Sequence, residues 1–211
     1  DPDAVSRAAA MIAAAQNPLI IVQRGDPEGR VADALVALAE TAAIPVIENH
    51  ALHNNMPSAH PMLAGHDVGP WIGDADVVLV VQSQVPWLQR NQKLADNAKV
   101  IHIGPDPLFE ALPVRSFRND LAITGDTAST LTAIAAALPD EIPGRDARVE
   151  TISAGSATRR AETEARALEG DGSPMTPGFV SKCVSDILGD DGIVFSELGV
   201  NPGPMDLKGP N

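Results

Sequence analysis

Short runs that are apolar at nearly every position most constrain the fold of this chain. The clearest is "DVVLVVQ" at residues 76–82, and similar runs occur in "PLIIVQ", "IPVIEN" and "KVIHIG". A strand without polar alternation has both faces buried, as in a parallel sheet covered by helices. The segments between the runs carry apolar residues at helical spacing. This alternation predicts an α/β domain with a doubly wound parallel sheet of five to six strands and helices on both faces.

The same patterns divide the chain into three parts. Residues 1–140 form the α/β domain, in which "LAIT" is a weaker strand, residues 87–97 form a short helix and Asp126 caps the last helix. Residues 141–174 form a linker, and residues 149–169 within it are charged enough to predict a solvated helix.

Residues 175–211 read as the beginning of a second α/β unit. Thr176 is placed to cap a helix with Pro177 at its first position, and Gly189 is placed to end it before a strand "IVFSE". We expect a buried stripe on this helix, made of Val180, Cys183, Val184 and Ile187. The unit is not completed, so we expect the chain to be part of something longer.

Composition excludes several classes of function. No apolar run reaches the roughly 20 residues that cross a bilayer, and the first residues lack a signal peptide, which predicts a cytoplasmic protein without a membrane partner. The formal charge of −13 argues against a nucleic-acid partner. The single cysteine excludes an internal disulfide framework and a multi-cysteine zinc site.

Ligands of an open parallel sheet bind outside the carboxyl ends of its strands. The candidate segments are "QRGDPEG", "ENHALHN", "QSQVPW" and "HIGPDP". A dinucleotide fingerprint needs G-x-G-x-x-G, and the first segment supplies only Gly25 and Gly29. Asp26 and Glu28 also place negative charge where a pyrophosphate would bind, so an NAD site is not expected.

The other potential catalytic or metal-binding residues lack supporting context. His50, His53, His60 and His66 share one irregular loop region without carboxylates at ligand spacing, so we interpret them as non-metal residues and expect His66 to face the crevice. Ser83 and Ser196 follow strands, but neither lies in a G-x-S-x-G elbow, so we interpret both as turn residues.

An ordered set of motifs resembles the central domain of thiamine-diphosphate-dependent enzymes of the acetolactate synthase, benzoylformate decarboxylase and pyruvate oxidase group. The set comprises "NPLIIVQRG", "LAETAAIPVIEN", "HPMLAGHDVG", "IGDADVVLVV", "KVIHIGPDP" and "ITGDTASTLTAI", and covers residues 4–138. Residues 175–201 resemble the start of that family's pyrophosphate-binding domain, and "QSQVPW" is most similar to acetolactate-synthase-like proteins.

The resemblance implies three α/β domains in a homo-oligomeric enzyme that acts on 2-keto acids with thiamine diphosphate and Mg²⁺. The outer two domains are catalytic and would be the partners of this one. The middle domain holds FAD or ADP in some members. The fragment itself is then expected to be inactive, without catalytic or metal-binding residues. Its role would be structural, bordering the active-site entrance through the loops around His53, His66 and Trp87.

The nucleotide contacts of flavin-binding relatives map onto nine positions here. They are Arg24, Gly25, Gly65, His66, Gln82, Ser83, Gln84, Gly104 and Asp126. The family's "GAR" arginine is missing from "QSQ", and Gly104 stands where relatives often have an acid, so FAD is not expected to bind. Trp87 is expected to pack against a neighbouring domain or to line the substrate entrance. A stand-alone module that binds FAD, ADP or NAD is the alternative function.

One apparent metal motif is interpreted as part of the linker. Gly170-Asp171-Gly172 precedes Asn201 at the spacing of the family's magnesium and diphosphate motif. That motif should follow a buried strand, whereas this one follows the charged segment "AETEARALE". The true metal site is therefore expected beyond residue 211.

Overall fold

The computed structural model describes residues 1–190, 192–197 and 200–209. The strands of this part of the chain are β1 (Pro18–Val22), β2 (Val46–Glu48), β3 (Leu63–Gly65), β4 (Val77–Val81), β5 (Lys99–Gly104) and β6 (Leu121–Thr124). The helices are α1 (Pro2–Ala14), α2 (Arg30–Ala42), α3 (Gly69–Ile72), α4 (Thr127–Ala136), α5 (Arg145–Leu168) and α6 (Pro177–Leu188). No helix within these residues is long and apolar enough to cross a membrane.

All six strands form one parallel sheet in the order β3-β2-β1-β4-β5-β6. In the centre, Ile20 of β1 lies beside Val46 of β2 and Leu79 of β4. The strand order reverses between β1 and β4, which places a crevice at the carboxyl ends of these two strands. The predicted fold class is confirmed.

The two faces of the sheet are covered differently. On one face α1, α2 and α4 pack over Ile20, Leu79 and Ile101. On the other face the short α3 and an irregular segment cover Ile21, Val80 and their neighbours. Full burial of one such side chain stabilises the fold by about 1.5–3 kcal/mol.

Helix α5 is anchored to this domain along one side. Arg148 donates hydrogen bonds to the carbonyls of Ala42 (2.9 Å) and Ala43 (3.3 Å), where α2 ends. Further along the helix, Ser156 Oγ donates to the carbonyl of Leu63 in β3 (2.8 Å). The helix predicted within residues 149–169 of the linker is present, but it begins earlier, at Arg145. Its charged outer side is solvated, as expected.

Two local expectations within the α/β domain are wrong. Residues 87–97 form turns and irregular structure instead of a helix, because their polar side chains bond elsewhere. Gln92 Oε1 accepts the nearby Leu88 N–H (2.8 Å), and Gln89 Nε2 donates to the carbonyl of the distant Ser116 (2.5 Å). Trp87 is only 4% exposed and its ring lies edge-on to Phe117 at 5.1 Å. Trp87 therefore belongs to the core of this domain and is not free to face a neighbouring one.

The beginning of the second unit is only partly as expected. Thr176 caps α6, since its Oγ1 accepts the Phe179 N–H (3.3 Å). The expected stripe on α6 is not buried, because Ile187 is 86% exposed, Val180 is exposed, and Cys183 and Val184 are half-buried. No strand forms over residues 192–197, where Phe195 is 96% exposed. Within the described residues, α6 has no sheet to pack against.

Candidate functional site

Gln82 spans the crevice between β1 and β4. It follows β4 with a left-handed backbone (φ +48°), and its N–H donates to the Ile103 carbonyl (3.0 Å). Its side-chain Oε1 accepts the Gly25 N–H from the turn after β1 (3.1 Å), and its Nε2 donates to Thr127 Oγ1 in the first turn of α4 (2.8 Å). The uncharged side chain of Gln82 thus links the turn after β1 to the first turn of α4.

The turn after β1 requires glycine at position 25. Gly25 has φ +97°, and a Cβ placed there would lie 2.3 Å from Asn55 Oδ1. Asn55 is itself fixed, because Glu48 Oε1 accepts its backbone N–H (2.5 Å). The glycine therefore permits a close approach of two protein segments.

Carboxylates of the chain occupy the N-termini of both helices that face the crevice. Asp26 accepts the backbone N–H groups of Val31 (2.7 Å) and Arg30 (3.2 Å) at the start of α2. Asp126 caps α4 by accepting the Ser129 N–H (2.9 Å), as predicted from sequence. Helix N-terminal amides are the groups that bind phosphate in nucleotide sites. Here these amides already have protein partners.

Asp126 is held as a carboxylate by its neighbours. Hydrogen bonds from Ser129 and then from Arg30 lower the pKa of Asp126 to about 2. The Arg30 guanidinium lies 2.9 Å from Asp126 Oδ1 and so ties α2 to α4 across the crevice. Both groups are substantially exposed, which makes this pair a weak contributor to stability.

An arginine that sequence reasoning missed, Arg115, lies at the β4 side of the crevice. Arg115 donates from Nε to the Gln84 carbonyl (3.1 Å) and from Nη2 to the Ser83 carbonyl (3.1 Å). The guanidinium groups of Arg115 and Arg24 lie 5.1 and 5.2 Å from the centre of the Phe109 ring. The segment "QSQ" lacks the arginine that the family's "GAR" turn carries. Arg115, from the segment after β5, places a positive charge there instead.

The side chain of His102 contacts Arg115. It is fully buried in β5, and its burial lowers the pKa to about 4, so the imidazole is neutral at physiological pH. Nε2 lies 3.0 Å from the Arg118 carbonyl, and Nδ1 lies 3.5 Å from Arg115 Nη2. A neutral ring that donates from Nε2 and presents the Nδ1 lone pair to Arg115 satisfies both contacts.

The structure separates the nine predicted positions into two groups. The first group meets around the β1–β4 crevice and comprises Arg24, Gly25, Gln82, Gly104 and Asp126. The Ser83 side chain is buried without a hydrogen-bond partner among the described residues, and the Gln84 N–H donates to Gln23 Oε1 (2.9 Å).

Gly65 and His66 lie elsewhere, at the end of the edge strand β3. This strand is two strands away from β1, or about 10 Å at the usual strand spacing. His66 Nδ1 lies 3.3 Å from the carbonyl of Glu48, and its ring faces a cavity beside α5. Burial lowers the pKa of His66 and raises that of the adjacent Glu48 carboxyl to about 7.

In the part of the chain that the structure describes, the remaining histidines and acids do not assemble a metal centre. Within the described residues, no group of three or more His, Cys, Asp or Glu side chains could hold a metal ion. His60 instead lies 3.2 Å from Glu40 of α2. Gly170-Asp171-Gly172 follows helix α5 and leads to the Thr176 cap, so this segment lacks the buried strand of a magnesium and diphosphate motif.

Comparison with known proteins agrees with the fold. Residues 5–134 match the family described as thiamine pyrophosphate enzyme, central domain. The acetolactate synthase large subunit IlvB1 of Mycobacterium tuberculosis is 26% identical over 92% of this chain and 32% of its own length. Oxalyl-CoA decarboxylase of Escherichia coli is 26% identical over 65% of this chain and 24% of its own length.

An X-ray structure assigned to a thiamin diphosphate-dependent enzyme of Mycobacterium smegmatis covers 67% of this chain and 28% of that chain. Its TM-score is 0.54 at 23% identity, a likeness of fold. The chain spans about a third of the length of the acetolactate synthases it matches.

Proposed function

Because this chain belongs to the family of thiamine pyrophosphate enzyme central domains, we propose that it is the middle domain of an acetolactate-synthase-like enzyme that forms or breaks C–C bonds of 2-keto acids. The observation that carries the proposal is the agreement between the family match and the parallel sheet over the same residues. The acetolactate synthases match nearly the whole chain, whereas the oxalyl-CoA decarboxylases match about two thirds of it. This difference in coverage favours an acetolactate-synthase-like enzyme over an oxalyl-CoA decarboxylase.

In this proposal, thiamine diphosphate and Mg²⁺ are held by the other two domains of the enzyme. The residues described here do not fit that cofactor, because Gly170-Asp171-Gly172 lacks its strand and no cluster of metal ligands accompanies it. The N- and C-terminal catalytic domains are then the partners of this domain. A homo-oligomeric enzyme in the cytoplasm is part of the same proposal, and its support is the family resemblance.

The domain's own contribution is structural. Gln82 joins the turn after β1 to α4, and Arg30 joins α2 to Asp126. Both links place protein groups in the crevice. A nucleotide's phosphates would need unoccupied backbone N–H groups at these positions. The chain is thus proposed to keep the sheet rigid between two catalytic domains without binding FAD.

A nucleotide-binding module is the second candidate function. The observation that favours it is the pair of guanidinium groups of Arg24 and Arg115 that both lie close to the Phe109 ring, 5.2 and 5.1 Å from its centre. Arginines and an aromatic ring suit a phosphate and an adenine base. Against it stand the occupied amides of Gly25, Arg30 and Val31.

Substrate turnover by the complete reading frame tests the proposed reaction. The enzyme, supplied with thiamine diphosphate and Mg²⁺, is given pyruvate, 2-ketobutyrate or oxalyl-CoA in separate assays. We expect the enzyme to consume the 2-keto acids with release of CO₂. We expect it not to consume oxalyl-CoA. Consumption of oxalyl-CoA alone would move the assignment to the decarboxylases, and dependence on FAD for folding would contradict the closed crevice.

A further inference from the structure

A separate cavity of about 340 Å³ lies between the edge strand β3 and helix α5. Leu63, Gly65 and Trp71 form one side of it, and Arg159 forms the other. Pro202 and Gly203 border it from the C-terminal segment. That segment is held by Ser58, whose N–H donates to the Leu207 carbonyl (2.9 Å) and whose Oγ accepts the Leu207 N–H (3.1 Å). The volume is within the range of small-molecule sites.

Arg159 is a partly buried charged group in the lining of this cavity. Its Nη2 donates to Ser156 Oγ (2.8 Å) and approaches the Leu63 carbonyl (3.4 Å). Its guanidinium lies 5.4 Å from the centre of the Trp71 ring. Partial burial lowers the pKa of Arg159, and no carboxylate of the described residues offsets that effect. A partly dehydrated guanidinium without a counterion is a site where an anion binds favourably.

The charge around the cavity matches a monoanion. Arg159 and Arg160 contribute two positive charges, and Asp67 contributes one negative charge while accepting the Gly69 N–H (2.8 Å). His66 is neutral near pH 7, because burial lowers its pKa. The net charge of the lining is therefore +1, which suits a carboxylate better than a phosphate dianion.

Apart from the hydroxyl-bearing Ser58, Ser156 and Thr163, the rest of the lining is apolar or glycine. Besides Trp71 it includes Leu63, Ala64, Pro70 and Pro202. An anion with a flat or branched apolar body can place that body against the indole ring while its charge meets the guanidinium. An inorganic anion would leave this surface uncovered.

We propose that this cavity binds a small organic carboxylate, with its carboxylate on Arg159 and its apolar part against Trp71. The site is distinct from the β1–β4 crevice. The proposal does not depend on the reaction catalysed by the complete enzyme.

Nuclear magnetic resonance of the 211-residue chain tests the proposal with benzoate as the probe. The chain has two tryptophans, so the indole N–H of Trp71 reports on the cavity and that of Trp87, which is buried in the core and does not line the cavity, serves as an internal control. We expect saturable shifts of the Trp71 signal with benzoate, and at least about tenfold weaker binding of neutral benzamide, which loses the charge-assisted bonds. Equal binding of both compounds, or shifts of both indoles alike, would overturn the proposal.

Substitutions of single arginines test which charge binds the carboxylate. Arg159→Gln should weaken benzoate binding by about tenfold or more, whereas Arg90→Gln, an exposed arginine outside the cavity, should leave it unchanged. If Arg159→Gln lowers the thermal midpoint, the exposed Arg160→Gln serves instead, with an expected weakening of about twofold to fivefold. Phenyl phosphate is the last probe: binding about tenfold tighter than benzoate would contradict the monoanion assignment and replace it with a phosphate site.

Discussion

Gln82 and Gly25 are joined across the crevice by a hydrogen bond of 3.1 Å from the glycine N–H to the glutamine Oε1. The same side chain reaches Thr127, so one residue after β4 holds the turn after β1 and the start of α4 together. In nucleotide-binding sheets this place is open to the ligand. Here it is bridged by the protein itself.

Gln82→Ala should destabilise the chain by about 1–3 kcal/mol, because it removes two side-chain hydrogen bonds and leaves Gly25 and Thr127 without partners. Urea unfolding followed by circular dichroism measures the change. Gln16→Ala is the matched control, since only the backbone N–H of Gln16 is engaged, and its expected effect is within about 0.5 kcal/mol. Equal midpoints for the two variants would show that the bridge contributes nothing.

Gly25→Ala should destabilise the chain by about 2 kcal/mol or more. The positive φ strains any residue with a Cβ, and the new methyl group would collide with Asn55. Gly73→Ala is the control, because nothing lies within 4 Å of its added Cβ and its φ is −70°. It should be neutral or stabilising by up to about 1 kcal/mol. Tolerance of alanine at position 25 would contradict the described contact.

Glu48 should make stability fall as the pH rises. Burial raises its pKa from 4.5 to about 7 in the folded chain, so the folded state retains a proton that the unfolded state has already released. The contribution is complete below about pH 4.5 and is lost between there and about pH 7, amounting to roughly 2–4 kcal/mol.

Paired urea titrations at several pH values check this sign. Glu48→Gln should remove the decline, because the amide cannot ionise and its oxygen can still accept the Asn55 N–H. The exposed Glu28→Gln serves as a control and should retain the decline. If wild type and Glu48→Gln lose stability in parallel from pH 4.5 to 7, the carboxyl does not titrate as described.

ADP and FAD should leave the melting temperature unchanged, because the amides of the crevice already have protein partners. Differential scanning fluorimetry at millimolar ADP checks this expectation. A rise of several degrees that disappears in Arg115→Gln would instead support the nucleotide-binding module. The exposed Arg90→Gln is the control substitution, since it lies away from Phe109.

Much of this fold could be predicted because it depends on local patterns. β1, β2, β4 and β5 are apolar at nearly every position, and the caps at Asp126 and Thr176 lie next to the helices they begin. β3 was missed because it has three residues, "LAG", without periodicity, in a loop rich in proline and histidine. It becomes a strand only by pairing with β2.

The parts of the site that sequence reasoning missed depend on contacts between distant segments. Arg115 reaches Ser83 and Gln84 from more than thirty positions along the chain, and no local pattern encodes that approach. Trp87 was misplaced for a similar reason, because its partner Phe117 comes from the same distant segment. Residue spacing alone also could not show that the apolar side of α6 has no sheet to cover it among the described residues.

The central claim is that this chain is a middle domain without the catalytic centre. Calorimetric titration of thiamine diphosphate with Mg²⁺ into the 211-residue chain tests it most directly, with the complete enzyme as the positive control. The account predicts no heat of binding from the chain at micromolar concentrations and saturable binding by the complete enzyme. Saturable binding to the chain alone with a micromolar Kd would contradict it.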